Sequence, residues 1–184
     1  MSGTVIVLNG ASSSGKSTLA RALQSALYPD IYLYAGGDYF IQMLPQGPFP
    51  TGRKAPEARE IEARLFSGFH RSIAALAHAG NNVIADHVLV KDEWTSECKA
   101  VLTGLRVVFV GVHCALDVLE ARELKRGDRP AGTARWQTKC VHLGKRYDVE
   151  VDTSEMTADE CAAIVALRVS CGEPTIWPRI SLTE

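Results

Sequence analysis

The sequence has no apolar stretch approaching the roughly 18–20 uncharged residues that a membrane span requires. Neither sign of charge prevails: 20 Lys and Arg stand against 21 Asp and Glu, for a net charge of −1, and there is no long basic run. Nucleic acid is therefore not expected as the main partner. The start, MSGTVIVLNG, carries no basic segment and too short an apolar run for a secretory signal, which points to a cytoplasmic address. Cysteine is scarce and widely spaced: Cys98, Cys114, Cys140, Cys161 and Cys171 form no C-x-x-C pair. Such a pattern suits neither a disulfide framework nor a zinc site, so reduced thiols acting as small buried hydrophobes are expected. Internal repeats and linkers are also absent. What remains is an ordinary globular composition, 46% hydrophobic and 22% charged over 184 residues, enough for one domain with a proper core.

Short apolar runs alternate with helix-like stretches along the chain. Residues 4–10 (TVIVLNG), 31–37, 81–89 and 105–114 are β-branched or aromatic and nearly continuously apolar, the pattern of strands buried on both faces of a parallel sheet. Residues 147–154 (YDVEVDTS) differ, because Val149 and Val151 alternate with Asp148, Glu150 and Asp152. That alternation predicts a strand at the sheet's edge. Helices are predicted over 17–27, 56–80, 92–104, 115–127 and 157–170, with Ile61, Leu65, Phe69, Ile73 and Leu76 marking the apolar stripe of the longest. Thr157 followed by Glu160 reads as a capping box, and Gly80, Gly104 and Gly127 as helix stops. The expected architecture is α/β: a three-layer sandwich around a parallel sheet of about five strands. Two segments stand apart. Residues 44–56 hold four of the eight prolines and must be irregular, and residues 171–184 form an expected extended tail.

The stretch Gly10-x4-Gly15-Lys16-Ser17 fits the phosphate-loop pattern, with a strand before it and a helix after it. Its backbone N–H groups, from Gly10 through Ser12, Ser13, Ser14 and Gly15 to Ser17 and Thr18, are expected to surround nucleotide phosphates, aided by the helix N-terminus. Lys16 should reach the terminal phosphates and Ser17 should take a place on Mg²⁺. Asp38 and Asp86 follow the second and third predicted strands, so both carboxylates should face this loop. One can take a proton from an acceptor hydroxyl and the other can hold Mg²⁺, although Asp38 also suits a helix N-cap. His87 beside Asp86 reads as an ordinary hydrogen-bonded histidine. Arg122, Arg126 and Arg129 share one helical face near a helix end, a positive face suited to closing over a transferring phosphoryl group.

Taken together, VLNGASSSGKS, Asp38 ahead of a short helix, RELKRGDR and YDVEVDTS resemble the chloramphenicol phosphotransferase family across residues 4–170. The resemblance implies a P-loop NTPase fold of the small-kinase type with an arginine lid, like nucleoside-monophosphate and shikimate kinases. The domain is then 1–170, with an acceptor loop at 44–56 and a lid at 122–135, and the tail follows. It also implies ATP- and Mg²⁺-dependent transfer of the γ-phosphate to a hydroxyl of a small molecule, an antibiotic or another natural product. On that pattern Asp38 matches the general base and Lys16 the phosphate-loop lysine. Arg126 and Arg129 match the lid arginines, and Asp86 a carboxylate at the end of the third strand; the site residues then expected are Arg122 and Arg126 on the nucleotide and Ser17 and Asp86 on the metal. A nucleoside, nucleotide or other metabolite kinase is the alternative within this fold. A non-catalytic nucleotide-binding regulatory module is the alternative outside it, weakened by the lack of an N-K-x-D motif or an LSGGQ-type signature. The sequence leaves a homo-oligomer open.

Overall fold

Val5, Ile6, Val7 and Leu8 are all but completely buried, and they divide between two separate cores: Val5 and Val7 in one, Ile6 and Leu8 in the other. A strand whose alternate side chains both enter apolar cores must lie in the middle of a sandwich. The computed structural model describes residues 2–45, 56–127 and 132–172, and there β1 (Thr4–Asn9) is the central strand of one sheet. With β2 (Tyr32–Gly36), β3 (Asn82–His87), β4 (Arg106–His113) and β5 (Val149–Asp152) the order is β2-β3-β1-β4-β5, every neighbouring pair parallel. The alternating segment at β5 is indeed an edge strand; β2, whose apolar run predicted burial on both faces, is the other edge, with Leu33, Tyr34 and Ala35 only half-buried.

The helices are α1 (Lys16–Ala26), α2 (Gly37–Gln42), α3 (Pro56–His78), α4 (Asp92–Val101), α5 (Leu116–Arg126), α6 (Thr133–Thr138) and α7 (Ala158–Ser170). One core packs α1 and α7 on the sheet through Leu19, Leu23, Cys161 and Val165, and the other packs α3 and α4 through Phe69, Ile73, Trp94 and Cys98. In α3 the expected stripe is turned slightly: Phe69 and Ile73 are buried, Ile61, Leu65 and Leu76 are half-buried, and Phe66 and Ala77 join the core. Cys98 and Cys161 are buried as expected, and burial pushes the Cys98 thiol up to about 12, whereas Cys114 and Cys140 are only half-buried and Cys171 is exposed. The capping box at α7 is formed, with Thr157 accepting the Glu160 N–H and Glu160 accepting the Thr157 N–H.

Strand register explains the position of the site. Asn9 pairs with His87 and Gly111, while Gly36 pairs with Asp86, so the carboxyl ends of β1, β2 and β3 terminate side by side. The segments that follow them are therefore delivered to one edge of the sheet. Helix α6 was not expected from the sequence. It has six residues and no apolar period, and its buried Thr133 and Gln137 are polar. Residues 46–55 of the expected acceptor loop, 128–131 of the expected lid and 173–184 of the tail lie outside the described residues.

Candidate active site

The phosphate loop leaves β1 through Asn9, which is fully buried and fully engaged. Its amide group donates to the Val141 carbonyl at 2.9 Å and to the Tyr147 hydroxyl at 2.8 Å, while its oxygen accepts the Leu89 N–H at 2.8 Å. Tyr147 is then free to donate its proton to Nδ1 of His142, 2.7 Å away. Burial first, and then His113, Lys145 and Lys16 nearby, push the His142 pKa down to about 4, which matches an imidazole accepting at Nδ1.

At Gly10 the backbone passes so close to β4 that a Cβ would lie 2.4 Å from the Val112 carbonyl oxygen. Gly15 closes the loop with a left-handed φ of 85°, and Ser13 between them holds φ 65° without being glycine. The Ser12 and Ser14 hydroxyls are buried with no hydrogen-bond partner among the described residues. A buried donor left unmade suits a ligand rich in acceptor oxygens. Ser12, Ser13, Gly15, Lys16, Ser17 and Thr18 line a cavity of about 1220 Å³, whereas Ser14 faces a smaller one behind the loop. Lys16 is 6% exposed, donates to the Ala11 carbonyl at 2.7 Å and lies 3.8 Å from Asp86.

Asp86, at the end of β3, gathers the next groups. Its Oδ2 accepts the Ser17 hydroxyl at 2.8 Å and the Tyr34 hydroxyl at 3.0 Å. Burial and the Asp86 charge push the Tyr34 phenol up, so it remains a donor. A hydroxyl and a carboxylate in contact are the hard oxygen ligands that Mg²⁺ takes from a protein while keeping several waters. Among the described residues no cluster of three or more His, Cys, Asp or Glu could hold a metal. Asp38 sits in the first turn of α2 and lines the same cavity. The helix cap is Gly36, so the alternative reading of Asp38 as an N-cap is corrected: α2 begins one residue before it. Arg122 and Arg126, with Lys125 between them, line the cavity from α5, while Arg129 lies outside the described residues. Arg122 donates to the Thr153 hydroxyl at 3.1 Å and to its carbonyl at 2.9 Å.

Another part of the cavity's lining is built differently. Phe66, His87 and Trp94 form a wall, with His87 stacked on Phe66 at 4.9 Å and on Trp94 at 5.9 Å between ring centroids. His87 is buried and structural, as its sequence reading suggests. Its Nδ1 accepts the Val88 N–H at 2.8 Å, and its Nε2 lies 3.0 Å from Nε2 of His70, whose Nδ1 is 3.3 Å from Glu97. Burial pushes both imidazoles down. Lys91 pairs with Glu62 at 2.7 Å and lies over the Trp94 ring at 4.4 Å. Sequence reasoning missed Tyr34, Gln137 and this wall. Tyr34 shares a strand with the segment that leads to Asp38, a usable signal, but Gln137 had none.

Solved structures share this fold. The APS kinase CysC of Mycobacterium tuberculosis, in complex with AMPPNP and APS, superposes with a TM-score of 0.71 at 18% identity, over 92% of this chain and 99% of that one. Shikimate kinase of Acinetobacter baumannii, in complex with shikimate, superposes with a TM-score of 0.59 at 17% identity, over 90% and 93%. The fold is the one these two kinases share. Two Mycobacterium tuberculosis proteins, from strains CDC 1551 and H37Rv, each named "Putative O-phosphotransferase", are 35% identical over 179 residues, covering 87% of this chain and 79% of theirs. Residues 3–170 match the family described as "Chloramphenicol phosphotransferase-like protein", and the chain belongs to that family. No helix among the described residues is long and apolar enough to cross a membrane.

Proposed function

We propose that the protein moves the γ-phosphate of ATP to an alcohol group of a small natural product, with chloramphenicol-like antibiotics the first class to test. The observation that carries this reading is one cavity of about 1220 Å³ lined by the phosphate loop, Asp86, Asp38 and the α5 arginines. That volume exceeds the roughly 300–1,000 Å³ of a single small-ligand pocket and suits a donor and an acceptor side by side. Asp38, the general base, accepts the acceptor's hydroxyl proton as its oxygen bonds to the γ-phosphorus and the bond to the β-phosphate oxygen breaks. Lys16 exchanges the Ala11 carbonyl for phosphate oxygens. Arg122, Arg126 and Arg129 offset the charge spread over the transferring group. Ser17 and Asp86 would hold Mg²⁺, which when bound neutralises charge on the phosphates.

ADP release measured with ATP over a panel of hydroxylated antibiotics, nucleosides and sugars tests the reading. Stimulation by an antibiotic alcohol, with a phosphorylated product, is expected. Stimulation by nucleosides or nucleotides alone would replace the acceptor class. Flat background hydrolysis with tight nucleotide binding would favour a regulatory module.

A further inference from the structure

Ser13 holds a left-handed φ of 65° that side chains with a Cβ disfavour, and such a residue persists only where its surroundings over-determine it. Here the backbone is pinned on both sides of Ser13 by side chains from distant elements. The Ser12 N–H donates to Oε1 of Gln137, on α6, at 2.6 Å; the Ser14 carbonyl accepts the Thr153 hydroxyl, beyond β5, at 2.8 Å. Gln137 is 5% exposed and lines the large cavity, as does Thr153.

Both pins lead back to consecutive residues of α5. Arg122 holds Thr153 through its hydroxyl and its carbonyl. Glu123, 6% exposed, accepts the N–H groups of Gly132 and Ala134 at 2.8 Å each and so fixes the start of α6. A six-residue helix with no apolar stripe is marginal alone, so this carboxylate, together with Ala134 packed against Ala11, Leu119 and Val141, sets Gln137 at its post.

We propose that Gln137 and Thr153 are positioning residues that clamp the Ser13 turn of the phosphate loop, and that α5 sets both clamps through Glu123 and Arg122. The helix that carries Arg126 thereby also shapes the loop that receives the phosphates. This rests on the nucleotide-binding reading above. The clamp keeps the loop in its binding shape before nucleotide arrives, so removing a pin charges the reshaping to the nucleotide's affinity.

Calorimetric titration of the full chain with AMPPNP tests it, alongside thermal melts. Gln137→Met keeps length and removes the acceptor; Thr153→Val keeps shape and removes the donor. Each is expected to weaken AMPPNP binding about three- to tenfold, the range of one ordinary hydrogen bond. Glu123→Gln is expected to weaken it in the same direction, and to add little to Gln137→Met in the double variant, as members of one chain should. Arg135→Ala, which breaks an exposed pair with Glu120 between the same two helices, is expected to leave binding within about twofold. A merely structural part for Gln137 lowers the melting temperature and leaves affinity unchanged. Folded Gln137→Met binding like wild type overturns the clamp; if that variant does not fold, unchanged binding by folded Thr153→Val does so. No AMPPNP binding by the wild-type chain would overturn the nucleotide reading beneath it.

Discussion

Two parts of the large cavity's lining are made of different material. At the donor end the reactive surface is backbone, bent tightly and held by bonds across the sequence: Asn9 to residues 89, 141 and 147, Ser12 to Gln137, and Ser14 to Thr153. In the proposed reaction the acceptor meets side chains: Phe66 and Trp94 around His87, with Lys91 and Glu62 beside them and more than a third exposed. A phosphate chain looks the same in every nucleotide, so a rigid cradle of amides serves it. An acceptor is recognised by body shape, which aromatic faces and an exchangeable ion pair can follow.

The contrast can be broken most severely at Lys16. Lys16→Met is expected to lower phosphoryl transfer by about 10²–10³-fold, as loss of a group aimed at developing charge does, and to weaken nucleotide binding without changing acceptor affinity. Steady-state kinetics with separate titrations check this. An equal loss at both ends would erase the division.

A second test concerns stability beneath the donor end. The His142 pKa, at about 4, lies below its ordinary value of 6.5, so between those values the unfolded chain binds more protons. Its contribution is complete above about 6.5 and lost as pH falls toward about 4. His142→Asn keeps an acceptor for Tyr147 and removes the titration, so melting temperature is expected to fall less steeply with acid than in wild type. An unchanged slope would remove His142 as the cause.

The smallest effect is expected at the acceptor margin. The exposed Lys91–Glu62 pair should carry at most about 1 kcal/mol, so Lys91→Met should shift the melting temperature by no more than about 4 °C. Its effect should appear instead in the acceptor KM, with the nucleotide KM unchanged.

Much of the donor end was legible in the sequence because its determinants are local. The loop pattern, the apolar run before it and the helix after it are contiguous, and the two strand-end carboxylates follow from parallel topology. All five strands and the long helices could be read for the same reason, since continuous apolar runs, the alternation at β5 and a 3.6-residue stripe need no partner to be recognised. What escaped depends on contacts across the chain. Helix α6 takes its start from Glu123 and its function from a bond to Ser12, 125 residues away, with no period of its own. The wall of Phe66, His87 and Trp94 joins α3, β3 and α4, three elements whose spacing says nothing of their meeting.

The most direct test compares wild type with Asp38→Asn for ADP release stimulated by an alcohol acceptor. General-base loss predicts a fall of about 10²–10⁴-fold, with AMPPNP binding unchanged. Stimulated release in Asp38→Asn at near wild-type rate would contradict the account.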